Sequence, residues 1–421
     1  MSLYDRVRDL PLTIEEVVLE PRALEVSPQF TRTVTVVRLR GAGHEGLGED
    51  VTYEADEAAA FQAAAAPALE GEWTLHALSQ ALASMDLFPA PPDWPPSREY
   101  RRWAFESAAL DLALRQAGQS LWRVLGIEPR PVDFVISTGI GEPPDVARVL
   151  DWAEAMPGIG FKVDATPSWT REVTRALAEG AQVEVVDLKG HYPGTEVDPG
   201  ADPALYAMVA EEFPGAWLED PRVDARTRIA LAGAEQRVTW DAPLHAADDI
   251  DAMPITPRTV NVKPSRLGSV QALLDLYDRI ARDGLGAYGG GQYEIGPGRG
   301  QIQYLASLFH PDAPNDTSPV AYHHPPRSGL PTSPMPVAAS ATGFRWGGRG
   351  ELGGRARRLG HLPGGDEATP RSLLGALVLV VTRVQVASPR NAQVVGHGAL
   401  EFLLGSPRAP GGNFAAHHVT S

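Results

Sequence analysis

Between residues 129 and 325, short apolar segments alternate with helical ones, and most of the apolar segments end on a charged residue. The candidate strands are VDFVIS (132–137), GFKVD (160–164), VEVVD (183–187), AWLE (216–219), RVTWD (237–241), TVNVK (259–263) and LGAYGG (285–290). Helical stretches such as REVTRALAEG (171–180) and SVQALLDLYDRIARDG (269–284) separate most of them. Strands that alternate with helices pair in parallel, because each return to the same end of a sheet needs a crossover. Seven such strands, with a possible eighth at PVAYH (319–323), predict a closed β/α barrel.

The flanks differ from this middle region. Up to about residue 128, TVTVVRLRG (33–41) alternates as a half-buried strand, GAGHEGLGED (41–50) reads as a Gly-rich turn, and residues 73–85 and 99–121 carry helical patterns. Strands first and helices after predict an α+β domain. From Gly347 the composition turns to Gly and Arg. Residues 347–421 hold eight arginines and four acids, a net charge of +4 in a chain of −16 overall. A separate, poorly ordered tail is expected there.

The bulk charge of −16 argues against nucleic acid or an anionic membrane as the main partner. Without cysteine the chain has neither disulfides nor thiolate metal sites. The N-terminus lacks an apolar secretory core, and the longest apolar run, Leu373 to Val381, falls far short of the roughly 20 residues that span a bilayer. A cytoplasmic protein is expected.

The charged strand ends form one constellation. Of 37 basic residues only three are lysines: Lys162, Lys189 and Lys263. Arginine stays protonated, whereas lysine beside other cations gives up its proton more readily, so these three are candidate bases. Asp187, Glu219 and Asp241 end three consecutive strands. In a barrel those ends face one mouth. One such acid alone is better explained as a helix cap or an arginine partner. Three in succession beside the only lysines point to a divalent cation with hard oxygen ligands, Mg²⁺ above all. GPGRGQ (296–301) lacks the setting of a nucleotide loop. His323–His324 and His417–His418 read as loop residues, and the chain has no G-x-S-x-G serine elbow.

These residues resemble the enolase superfamily, in particular its muconate-lactonizing-enzyme and mandelate-racemase branch. TVVRLRGAGHEGLGED resembles that family's capping strand and glycine loop, and FESAALDLALRQAGQSLWRVLG the helix leading into its barrel. WLEDP, TWDAP, VNVKPSRLGS and YGGGQYE fall in the family's order and spacing. The resemblance covers about residues 10–346. It implies an α/β fold, a modified (β/α)₇β TIM-like barrel (129–325) with an α+β capping domain (1–128, completed by about 326–346). Asp187, Glu219 and Asp241 become ligands to one Mg²⁺, and Lys263 the sixth-strand base. Asp164, Gln292 and Glu294 are expected to face the substrate. Specificity is expected in capping loops around 20–30 and 43–53.

The implied chemistry is removal of the proton α to a substrate carboxylate through a metal-stabilised enolate, by a racemase, epimerase, cycloisomerase or dehydratase. The alternative is a degenerate member that binds ligand without turnover. A small carboxylate substrate, no nucleic acid or membrane partner, and a homo-oligomer are expected. One position departs from the lysine-base pattern. The second strand of that branch ends Lys-x-Lys, and here the second place is Asp164. The second base is then absent, or is Lys162, or has moved to Lys189. The His–Asp dyad of the other branch fits poorly, because strand six ends in lysine and strand seven in glycines.

Overall fold

In the computed structural model, residues 1–27, 30–192, 199–323 and 329–347 are described. The Gly/Arg-rich segment beyond residue 347, with the expectations placed on it and on His417–His418, lies outside them, as does His324.

The chain opens with β1 (Pro11–Ile14), β2 (Glu16–Ser27), β3 (Phe30–Gly41) and β4 (His44–Asp50). The strands β2, β3 and β4 form an antiparallel sheet, and β1 pairs with β5 (Gly71–Thr74) across α1 (Ala55–Ala63). Three helices follow: α2 (Leu75–Ser84), α3 (Ser97–Gln116) and α4 (Leu121–Leu125). The expected Gly-rich turn is a correction. Only Ala42 and Gly43, both at positive φ, turn the chain, and residues 44–50 continue as β4. Its glycines serve packing rather than bending. A Cβ on Gly46 would stand 2.1 Å from the Ala108 carbonyl oxygen, and one on Gly48 1.9 Å from that of Ala104. The strand thus lies directly on the backbone of α3. Most of the 43–53 stretch read as a capping loop is therefore strand, and residues 20–27 belong to β2.

This close approach makes a measurable difference between two neighbouring glycines. Gly48→Ala is expected to destabilise the protein by about 3 kcal/mol, because strand and helix must separate. Gly43→Ala meets no atom within 4 Å and bears only the positive-φ penalty, about 1 kcal/mol. Urea midpoints of the two variants check the ranking.

From residue 135 the strand–helix rhythm follows closely. The order is β6 (Val135–Gly139), α5 (Ala147–Ala155), β7 (Gly160–Asp164), α6 (Arg171–Gly180), β8 (Gln182–Asp187), α7 (Pro203–Glu212), β9 (Trp217–Glu219), α8 (Ala225–Ala230) and β10 (Val238–Thr239). Then come α9 (Asp249–Ala252), β11 (Thr259–Val262), α10 (Pro264–Leu267), α11 (Val270–Asp283), β12 (Gly286–Gly289) and α12 (Pro297–Phe309). Local signals set these boundaries. Thr170, Asp202, Asp224 and Ser269 each cap a helix N-terminus with the side chain, and Gly284 ends α11 in the left-handed region.

The strands β6 to β10 form one parallel sheet in sequence order, and β11 pairs in parallel with β12. A bridge between Trp240 and Val260 joins the two groups. On the far side, Asp316 donates its N–H to the Gly289 carbonyl at 2.8 Å, and Val135 donates to that of Asn315 at 2.9 Å. The segment around Asn315 thus lies between β12 and β6. PVAYH, offered as an eighth strand, is instead a 3₁₀ turn over Val320–His323. Its apolar residues gave no length or alternation that separates a strand from a turn.

Candidate active site

Register brings the polar strand ends level. Gly139 pairs with Asp164, Asp164 with Asp187, Asp187 with Glu219, and Glu219 with Thr239. Paired residues of parallel strands share a face, so Asp164, Asp187 and Glu219 line up at one end. Asp241 lies two residues beyond Thr239, on the same side. Asp187, Glu219 and Asp241 are buried, and so is Lys162.

The three lysines reach these acids from different places. Lys162, on β7, hydrogen-bonds Glu219 Oε1 and lies 3.6 Å from Asp187 Oδ2 and 4.0 Å from Asp316 Oδ2. Lys189 Nζ stands 2.6 Å from Asp187 Oδ2 and 3.2 Å from Asp164 Oδ1. Its backbone holds φ +50°, with its N–H donating to Asp187 Oδ1 at 3.0 Å. Lys263 Nζ donates to Asp241 Oδ2 at 2.8 Å, while Arg266 binds the other oxygen of Asp241. The side chain of Lys162 is 2% exposed, that of Lys263 10% and that of Lys189 23%. Lys189 and Lys263 therefore face the opening, and Lys162 does not.

One expectation needs correction. The lysines were expected to have depressed pKa values. Burial does push Lys162 and Lys189 down, but Glu219 and Asp187 around the first, and Asp164 and Asp187 around the second, outweigh it and raise both well above the ordinary value. Lys263 has no acid two residues away in sequence, yet it too has a carboxylate partner, Asp241 from the neighbouring strand.

The carboxylates respond in kind. Burial raises Asp187, yet Lys189 and Lys162 hold it down at about 2. Asp241 is likewise raised by burial and lowered further by Arg266 and Lys263, to below the usual carboxylate range. Glu219 goes the other way. Burial, with Asp187 and Asp241 beside it, outweighs Lys162 and lifts it to about 7.

The acids were expected to require a metal between them. Here lysine ammonium groups already lie among them. Among the described residues no three carboxylate or imidazole groups are gathered as a cation cage. The donor chemistry nonetheless fits a hard cation: three buried carboxylates on adjacent strand ends, with Glu219 still raised by its two acidic neighbours.

Several residues of the site escape sequence reasoning. Glu219 Oε2 accepts from Asn261 Nδ2 at 3.0 Å and from the Tyr288 hydroxyl. Asp220, in the left-handed region at φ +51°, accepts the Asp241 and Ala242 N–H groups, both at 2.8 Å, and so fixes the turn that carries Asp241. The place of Asn261 two before Lys263, and of Asp220 beside Glu219 among the polar strand ends, were usable signals; for Tyr288 only the tertiary contact shows the role. Gln292 and Glu294 belong to the rim beneath the first domain. The Tyr53 hydroxyl donates to Gln292 Oε1 at 3.2 Å, and Glu294 Oε1 accepts the Gln292 N–H at 2.9 Å.

Two further buried side chains tie this rim to the first domain. Glu49, at the end of β4, accepts the N–H groups of Ile295, Gly296 and Gly298 at 2.7–3.0 Å, at the start of α12. Arg32, on β3, donates to the carbonyls of Val51, Thr52, Gln292 and Tyr293. Neither is suggested by the sequence, because each partner lies some 250 residues away or is a backbone group.

Known proteins match this chain across both domains. Residues 5–124 and 128–324 match the N-terminal and C-terminal domains of a family described as a domain of unknown function, DUF8230. The chain is 26% identical over 323 residues to an N-succinylamino acid racemase of Thermus thermophilus, covering 69% of this chain and 79% of that one. It is 25% identical over 237 residues to an o-succinylbenzoate synthase of Geobacillus kaustophilus, spanning 52% of this chain and 59% of that enzyme. Solved structures of similar fold include a dipeptide epimerase from Methylococcus capsulatus complexed with Mg ion (TM-score 0.56, 21% identity, 72% of this chain and 89% of that one). A muconate lactonizing enzyme from Klebsiella pneumoniae also matches (TM-score 0.56, 19% identity, 79% and 94%). The chain belongs to the DUF8230 family, and the relatives it resembles are enzymes of the enolase superfamily. As in its relatives of the mandelate racemase and muconate lactonizing branch, parallel strands and helices alternate through the second domain. Among the described residues, no helix is long and apolar enough to cross a membrane.

Proposed function

We propose that this chain abstracts the proton α to the carboxylate of a small substrate, with one Mg²⁺ held by Asp187, Glu219 and Asp241. The observation that carries the reading is the convergence of three buried carboxylates with all three lysines of the chain at one set of strand ends. A divalent cation bound there supplies Lewis-acid charge that favours the α-deprotonated form of a carboxylate. Lys263 takes the proton on one side of the acid cluster. Lys189, the other lysine open to the mouth, stands on the far side, held by Asp164 and Asp187. In this reading Lys189 is the acid–base group on the second face, displaced from the second strand by one strand and kept protonated by Asp164 and Asp187 so that it returns the proton, and Asp164 anchors it rather than touching substrate. Lys162 is a fixed positive charge that orients Glu219, helped by Tyr288 and Asn261. Asp220 orients Asp241. Gln292 and Glu294 form the rim on which the substrate closes.

The same reading includes closure of the parallel strands into a (β/α)₇β barrel over about 129–325. The Trp240–Val260 bridge and the bonds of Asn315 and Asp316 to β6 and β12 support it. A capping domain over 1–128, completed by about 326–346, has support in Phe344 and Arg345, which bond Asp111 of α3. The names of the relatives favour racemisation, epimerisation or cycloisomerisation over unrelated chemistry.

The test is exchange of substrate α-protons with D₂O, followed by NMR over N-acylamino acids, dipeptides and acid sugars. Exchange that needs Mg²⁺ and stops with EDTA is the expected result. Exchange that persists unchanged in EDTA would remove the metal from the mechanism.

A further inference from the structure

Two buried carboxyl groups meet where the first domain joins the rim. Glu49, at the end of β4, is 1% exposed, and Glu294 is 3% exposed. Both side chains converge on Gly298, in the first turn of α12. A Cβ there would stand 2.8 Å from Cγ of Glu294 and 2.9 Å from Oε2 of Glu49. The glycine leaves the space that the two acids share.

Their oxygens are unequally satisfied. Glu49 Oε1 accepts from the N–H groups of Ile295 and Gly296, and Oε2 from those of Gly296 and Gly298. Glu294 Oε1 accepts the Gln292 N–H, but Oε2 is buried without a hydrogen-bond partner, with Arg299 of α12 4.0 Å away. A bare buried acceptor costs stability, and a second carboxylate beside it costs more. A proton on Glu49 removes that repulsion and sets a donor beside the bare oxygen.

The remaining charges around Glu49 pull the other way or cancel. Arg32, on β3, and the N–H groups of Ile295 and Gly298 favour its ionised form. On α3, Arg101 is matched by Asp50 at 2.8 Å. Burial and Glu294 outweigh the favourable groups, and Glu49 is pushed up to about 7.

We propose that Glu49 and Glu294 form a proton-sensitive joint between the first domain and the rim, tight while Glu49 is protonated and loosened once it is ionised. The sign follows from linkage. In an opened joint Glu49 returns to water and to its ordinary 4.5. The closed joint then holds the proton more tightly than the open one, so opening becomes easier as pH rises from about 4.5 to about 7, and no easier above that. Gln292 lies in the same segment, so the joint governs how firmly that stretch of the rim is held under the first domain. Neither the metal ligands nor the lysines enter this inference, and it stands or falls apart from the reaction proposed above.

Hydrogen exchange of the full chain tests the joint, read by mass spectrometry on the peptide around residues 293–300 from about pH 5 to about pH 8.5, with the intrinsic rise of exchange with pH divided out. Protection at residues 295–298 is expected to fall by up to about tenfold per pH unit below pH 7 and to level off above it. It should stay below that of α11 throughout, because the joint opens locally. Glu49→Gln keeps the shape and cannot ionise, so the trend should vanish. Glu294→Gln removes the neighbouring charge, so the levelling-off should move to lower pH. Melting temperatures check that both variants fold, and the profile of the unaltered protein decides the matter where one does not. A flat profile in the unaltered protein, or protection equal to that of α11, would overturn the proposal. So would an unchanged trend in folded Glu49→Gln, or an unmoved levelling-off in folded Glu294→Gln.

Discussion

Lys263→Ala is expected to lose α-proton exchange by at least about 10²–10⁴-fold, the range a positioned general base supplies. The other two lysines should then separate by their surroundings. Lys189 faces the mouth from the end of β8, across the carboxylates from Lys263, so Lys189→Ala should stop exchange of one substrate enantiomer and spare the other. Lys162 is 2% exposed and bound to Glu219, so Lys162→Ala should slow both enantiomers together and weaken Mg²⁺ binding. NMR exchange rates on each enantiomer of one substrate measure all three. Full exchange of both enantiomers by Lys263→Ala would overturn the mechanism and leave the lysines as substrate-anchoring charges.

Asp241→Asn should have the second largest effect. The amide keeps the shape but loses the charge, and Mg²⁺ affinity is expected to fall by about 100-fold or more on loss of one carboxylate ligand. Asp241 is also the partner of both Lys263 and Arg266. Its neutralisation leaves two cations together in a buried place, so stability should fall by about 3–5 kcal/mol. Calorimetric titration with Mg²⁺ and urea unfolding check the two effects. Bound Mg²⁺ should itself raise the unfolding midpoint of the unaltered protein, since a cation that binds only the folded state stabilises it. Unchanged Mg²⁺ affinity in Asp241→Asn would remove the metal assignment.

Much of this was legible in the residues. GFKVD, VEVVD and TVNVK stand within a residue or two of β7, β8 and β11, because buried parallel strands need continuous apolar runs and their helices carry local caps. REVTRALAEG is α6 residue for residue. Asp187, Glu219 and Asp241 announced themselves as acids at strand ends, and the scarcity of lysine drew attention to the three that meet them. The glycines of residues 41–50 misled, because a glycine written into a strand for close helix contact looks the same in sequence as one written into a turn. PVAYH misled because a short apolar run has no period of its own.

The sequence by itself determined the alternation of strands and helices, the inventory of acids and bases, and their position at strand ends, since these follow from local propensity and side-chain period. Tertiary structure alone decided who meets whom. It paired Lys263 with Asp241 and Lys189 with Asp164, and buried Lys162 behind Glu219. It also set Arg32 and Glu49 from one domain on the backbone of the other. These contacts join residues from different strands or distant parts of the chain. No pattern along a single segment encodes them, because side-chain charge acts through space and the fold sets the distances.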